Sequence, residues 1–113
     1  MQEKRFLLYG GNTLGKYTVK LYDRAYRDLD GIYTYIAEKL MEPDTALNMV
    51  ERLENAILSL EELPERGALR RVGAYANGDY RQLFVKNYVV IYRVLKQKNE
   101  VHIVTVRDTP SSF

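Results

Sequence analysis

The stretch Tyr80–Val94, YRQLFVKNYVVIYRV, sets Arg81, Lys86 and Arg93 among apolar and aromatic residues. Guanidinium and ammonium groups spaced in this way can hold phosphate oxygens. Tyr80, Tyr88 and Tyr92 beside them can stack on bases, the pairing that RNA binding uses. A half-buried sheet favours the same tyrosines for packing, so both readings stand. Arg66, Arg70 and Arg71 precede the stretch and Arg107 follows it. If the stretch is two strands, alternation places Arg81 on one face with Leu83 and Val85, and Arg93 with Val89 and Ile91. An arginine on an apolar face needs a partner or an opening. The opening would receive a polyanion or a carboxylate-rich partner. The alternative is an internal ion pair with an acidic helix.

Other chemistries fit the residues less well. Gly10–Lys16 (GGNTLGK) matches the start of a phosphate-cradling loop, but Tyr17 stands where a Ser or Thr must bind magnesium. The residues after it alternate like a strand, so a hairpin turn or a leader is the preferred reading. His102 is the only histidine, and any histidine-based triad would depend on it. Alternation places it with Val104 and Val106, which favours a structural or edge role. Glu61, Glu62 and Glu65 read as solvated charge at the end of a surface helix. With no cysteine there is neither a disulfide nor a thiolate metal site, and no cofactor or metal is expected.

These side chains need elements to position them. Lys16–Tyr22 alternates as a strand. Asp23 is a candidate N-cap for a helix with Ala25, Leu29, Ile32, Ile36 and Leu40 on one stripe. Gly31 inside that helix suggests close approach to a neighbour. Glu42-Pro43-Asp44 breaks the chain before a second helix, whose stripe is Ala46, Val50, Leu53, Ile57 and Leu60 and which ends at Pro64. So short a connection predicts an antiparallel helix hairpin. Residues 65–79, with three glycines, predict a loop. Strands follow at about 80–86, 88–95 and 100–107, with turns at Lys86-Asn87 and Lys98-Asn99-Glu100. Residues 1–15 are a leader or an extra hairpin strand, with Phe6–Tyr9 a candidate to pair with 16–22. Residues 16–113 form one domain.

Charge divides the chain. Residues 23–65 carry 4 basic and 11 acidic side chains, whereas residues 66–113 carry 9 basic and 3 acidic. The predicted sheet is therefore basic and the predicted helices acidic, and a local positive field attracts polyanions even on a nearly neutral chain. No apolar run approaches the roughly 18 residues that a membrane span needs, so a cytoplasmic location is expected.

Four segments together are similar to the RelE/ParE superfamily of bacterial type II toxins: AYRDLDGIYTYI from Ala25, ILSLEELP from Ile57, YRQLFVKNYVVIYRV, and the closing VTVRD. The resemblance covers about residues 17–108. It implies an α+β fold, with an N-terminal strand and an antiparallel helix hairpin packed on a twisted antiparallel sheet. It implies a growth-inhibiting toxin of a plasmid-stabilisation module, neutralised by a cognate antitoxin. Its members either cleave messenger RNA on the ribosome, as RelE does, or poison DNA gyrase, as ParE does.

On the ribonuclease reading, Arg81 and Arg93 are the catalytic candidates, and Arg70, Arg71, Lys86, Tyr88 and Arg107 hold RNA or another target. Cleavage needs positive charge at the scissile phosphate and a group that activates the 2′-hydroxyl. The family's arginine after the aromatic that opens the second hairpin strand is Val89 here, and the tail Arg107–Phe113 lacks the usual His or Tyr. The catalytic set is therefore incomplete, which leaves gyrase poisoning open. A relative that retains only antitoxin binding is the third reading.

Overall fold

Alternation and helical stripes become one sheet and one helix hairpin. The computed structural model describes residues 3–5 and 16–109. Six strands form a sheet in the order β1-β2-β6-β5-β4-β3, where β1 is Glu3–Arg5, β2 Thr18–Tyr22, β3 Ala68–Leu69, β4 Arg81–Val85, β5 Tyr88–Leu95 and β6 Glu100–Asp108. Every neighbouring pair is antiparallel except β2 and β6, which run parallel. Parallel strands require a long crossover, and here the helix hairpin and the β3–β5 segment supply it. The sheet is thus mixed, with one parallel pair, β2 and β6, between antiparallel pairs.

Helix α1 (Asp23–Thr34) continues into a π-helical turn at Tyr35–Lys39, and α2 (Pro43–Leu58) into a 3₁₀ turn at Ser59–Glu61. Pro43 stands at the first helical position of α2, where its missing N–H costs nothing. Val19 and Leu21 of β2, Ala25 and Leu29 of α1, and Leu53 and Ile57 of α2 are buried together with Val90, Tyr92, Val101 and Ile103 of the central strands. The hairpin therefore covers one face of the sheet, the inner face.

Several local expectations change. Tyr22, not Asp23, occupies the cap position of α1 and makes no side-chain cap. Asp23 lies inside the first turn, and its Oδ1 is buried without a hydrogen-bond partner. Gly31 meets nothing within 4 Å of where a Cβ would stand, so close helix packing does not explain it. Glu61 is buried, not solvated, while Glu62 is exposed. The segment read as an unbroken loop contains β3. A strand from the first 15 residues does pair with β2, in the register Glu3 with Tyr22 and Arg5 with Lys20. Phe6–Tyr9 and the Gly10–Gly15 turn lie outside the described residues.

A bulge corrects the placement of His102. Register shifts between Ile91 and Tyr92: Ile91 faces Thr105, Tyr92 faces Ile103, and Val104 is left over. Alternation fails across such a bulge. Val106 consequently packs in the inner core while His102, opposite Arg93, stands on the other face. Asp28 of α1 accepts hydrogen bonds from the Thr105 hydroxyl and, at 2.9 Å, from the Val106 N–H, which ties the helix to the bulge.

Candidate target-binding surface

Arg81 lies on the inner face, as alternation predicts, and its charge is directed at backbone. Its guanidinium donates to the carbonyl of Gly67 at 2.6 Å and, more weakly, to that of Glu65 at 3.4 Å. Gly67 in turn donates its N–H to the hydroxyl of fully buried Tyr92 at 2.9 Å. Here the glycine is required by contact: a Cβ would lie 2.5 Å from the Gln82 carbonyl oxygen and 2.7 Å from the Tyr92 hydroxyl. Burial raises the Tyr92 phenol above its ordinary pKa. The arginine partner is thus the segment entering β3, not an acidic helix.

Arg93 lies on the opposite, outer face. It donates from Nε to Asp79 Oδ1 at 3.0 Å and from Nη2 to Asp79 Oδ2 at 3.3 Å, a two-pronged pair. The hydrogen bond from Arg93 holds the Asp79 carboxyl below its usual range. The same guanidinium lies 5.3 Å from the centre of the Tyr80 ring. Tyr80 meets Tyr75 edge to face, and Arg107 lies 5.4 Å from the centre of the Tyr75 ring. Two arginines and two tyrosines therefore form one chain of contacts on the outer face.

Beside that chain a groove of about 620 Å³ opens between the loop after β3 and the ends of β4–β6. Val72, Phe84 and Val89 supply its apolar lining, and Arg70, Arg107 and Asp108 its charge. Phe84 is 58% exposed and Val72 81% exposed. Arg70 is braced by its Nη1 donating to Gln82 Oε1 at 2.9 Å and its Nε to the Ala74 carbonyl. Arg107 has no ion-pair partner among the described residues. Arg71 is exposed next to the groove in sequence, though it does not line it.

The remaining candidates scatter. Lys86 is exposed at the β4–β5 turn, with φ at 55°, in the left-handed region. Tyr88 is buried on the inner face beneath α1, where burial first, and then the charges of Asp108 and Tyr35, raise its pKa. It shares no surface with Arg93 or Arg107. A separate polar row crosses β2 and β6: Tyr22 hydroxyl to His102 Nδ1 at 3.1 Å, His102 Nε2 to Glu100 Oε1 at 2.9 Å, and Lys20 to Glu100 Oε2 at 2.9 Å. Lys16, the last residue of the phosphate-loop look-alike, is exposed, and Gly10–Gly15 lie outside the described residues. Among the described residues no three His, Cys, Asp or Glu side chains could hold a metal ion, and no helix is long and apolar enough to cross a membrane.

Sequence reasoning overlooked Phe84 and Val72. The available signal was that β4 is apolar on both faces: Leu83 and Val85 on one, Phe84 on the other. An apolar residue on the uncovered face of an edge strand marks a contact yet to be made.

The profile of the family described as "ParE toxin of type II toxin-antitoxin system, parDE" matches residues 19–111. No curated protein sequence gives a significant match. Among solved structures, a chain of the chromosomal ParDE system from P. aeruginosa superposes with a TM-score of 0.69 at 23% identity, covering 84% of this chain and 98% of that one. A chain of the RelBE2 toxin-antitoxin complex from Mycobacterium tuberculosis gives a TM-score of 0.57 at 21% identity, covering 82% and 98%. A free mutant of the E. coli toxin RelE gives 0.58 at 15% identity, covering 88% of each. The superpositions agree with the α+β sheet and helix hairpin described above, and the profile match over most of the chain establishes that it belongs to the ParE toxin family of type II toxin-antitoxin systems.

Proposed function

We propose that this chain arrests growth by binding a protein target, DNA gyrase, and that it does not cleave RNA. The observation that carries this reading is the engagement of its two best catalytic candidates. Arg81 is bound to the Gly67 and Glu65 carbonyls and Arg93 to Asp79. A phosphate clamp has to meet developing charge with donors free to face it, and the groove beside the outer-face chain that contains Arg93 has Phe84 and Val89 in its lining. An apolar floor between separated charges suits a protein surface better than a scissile phosphate. Two of the similar structures, RelBE2 from Mycobacterium tuberculosis and RelBE from E. coli, are toxin-antitoxin complexes, which supports a cognate antitoxin that neutralises this chain in the cytoplasm.

One observation favours the ribonuclease reading: Arg70, Arg107 and exposed Phe84 share the groove, and such a set can hold a phosphate and stack on a base. A direct assay separates the two. Purified protein should inhibit supercoiling by DNA gyrase and leave messenger RNA intact on programmed ribosomes. RNA cut on the ribosome, with supercoiling unaffected, would refute the proposal.

A further inference from the structure

The two edges of the sheet differ. β1 covers the edge at β2, pairing with Lys20–Tyr22. At the other edge β3 is only two residues long and pairs with Arg81 and Gln82 alone. Leu83–Val85 run on past it.

The direction of the free backbone groups follows from the neighbours. The Tyr80 carbonyl accepts from the Arg70 N–H at 2.9 Å, and the Gln82 carbonyl faces Gly67; both therefore point to the β3 side. Backbone groups alternate along a strand, so the N–H and C=O of Phe84 point the same way. No described residue bonds them there. Native sheets normally blunt such an edge with charge, proline or a covering segment. This one carries an exposed phenylalanine, with exposed Val72 across the groove.

Resting on the reading that the target is a protein, we propose that the open edge of β4 receives an extended acidic segment of that target, added as a strand antiparallel to Leu83–Val85. Main-chain bonds to Phe84 would set the register. An apolar side chain would enter between Phe84, Val72 and Val89, and flanking carboxylates would reach Arg70 and Arg107. Charge selects the occupant. Arg70, Lys86 and Arg107 surround the edge against the single carboxylate of Asp108, so a second copy of this chain would bring like charges together. The edge is also short, which suits a brief segment of a folded target rather than a long wrapping chain.

The test uses the ¹⁵N-labelled protein with two synthetic heptapeptides, one alternating valine with glutamate and the other alternating valine with lysine. The acidic peptide should slow exchange of the Phe84 amide and shift Leu83–Val85, while the basic one does neither. Val72→Glu, at a largely exposed position, and Arg107→Glu should each weaken the acidic peptide by about tenfold. Purified gyrase should protect the same amide. Binding of the acidic peptide elsewhere overturns the proposal, as does stronger engagement of Phe84 and Arg107 by an oligoribonucleotide. If gyrase is inhibited while the Phe84 amide exchanges as in the free protein, the edge proposal fails and the gyrase reading stands. If gyrase is not inhibited at all, the gyrase reading fails, and the peptide result alone decides whether the edge accepts an acidic strand.

Discussion

The two faces of the sheet use arginine in opposite ways. On the inner face Arg81 binds the Gly67 carbonyl and is locked behind the Gly67–Tyr92 contact. The Gly67–Tyr92 bond is buried and the Arg81–Gly67 bond half-buried, and loss of the Gly67 contact would orphan the Tyr92 hydroxyl. On the outer face Arg93 bonds to the side chain of Asp79, with 37% and 59% of the two side chains exposed. The Arg107 guanidinium lies over the Tyr75 ring. The residue type is the same, but Arg81 is held by backbone carbonyls, whereas Arg93 is held by an exposed carboxylate. An arginine in a strand is therefore no evidence of a site until its partner is known.

Substitutions should separate the faces. Gly67→Ala has the largest expected effect, because its Cβ collides with backbone and with a buried hydroxyl. It should lower stability in urea by about 3 kcal/mol, at the upper end for overpacking; an unchanged midpoint would show that the β3 entry gives way freely. Arg81→Ala should cost about 2 kcal/mol, as expected when a charge-assisted bond to the carbonyl of buried Gly67 is lost. Its toxicity should fall only as far as its folded amount falls.

Gly31→Ala should stabilise by about 0.7 kcal/mol, since the site is helical and open. Arg93→Ala should change stability by about 0.5 kcal/mol, the ordinary size of an exposed pair. An inner-face-sized loss at Arg93 would erase the distinction between the faces.

The smallest effect is one of pH. The hydrogen bond from His102, and then that from Lys20, hold the Glu100 carboxyl below its usual range. A carboxylate lowered in the folded state stabilises above its unfolded pKa, and that contribution disappears as pH falls through the folded one. Glu100→Gln should therefore flatten the acid side of a thermal-melting profile and leave the alkaline side alone. An unchanged acid slope would mean that the row across β2 and β6 does not contribute to stability.

Much of the architecture was legible along the chain. The stripes of α1 and α2, apart from half-exposed Leu40, and the β4–β5 hairpin followed from period alone, as did the faces of Arg81 and Arg93, because burial of one side imposes that period. What stayed hidden depends on distant partners. The bulge at Val104 exists only in the register between β5 and β6, so His102 could not be placed by alternation. Asp28 looks like any polar helix residue until the Val106 N–H arrives beneath it. Gly67 carries no local sign of the Gln82 carbonyl and Tyr92 hydroxyl that exclude a side chain there. The groove was hidden for a related reason: Val72 comes from an irregular loop, and only the fold brings it to Phe84.

On the gyrase reading, this toxin acts by holding a protein of the replication machinery. Methionine and thymidine incorporation, followed in parallel after induction in bacteria, test it most directly. Thymidine incorporation should fall first while methionine incorporation continues. Early loss of methionine incorporation would contradict it and make translation the target.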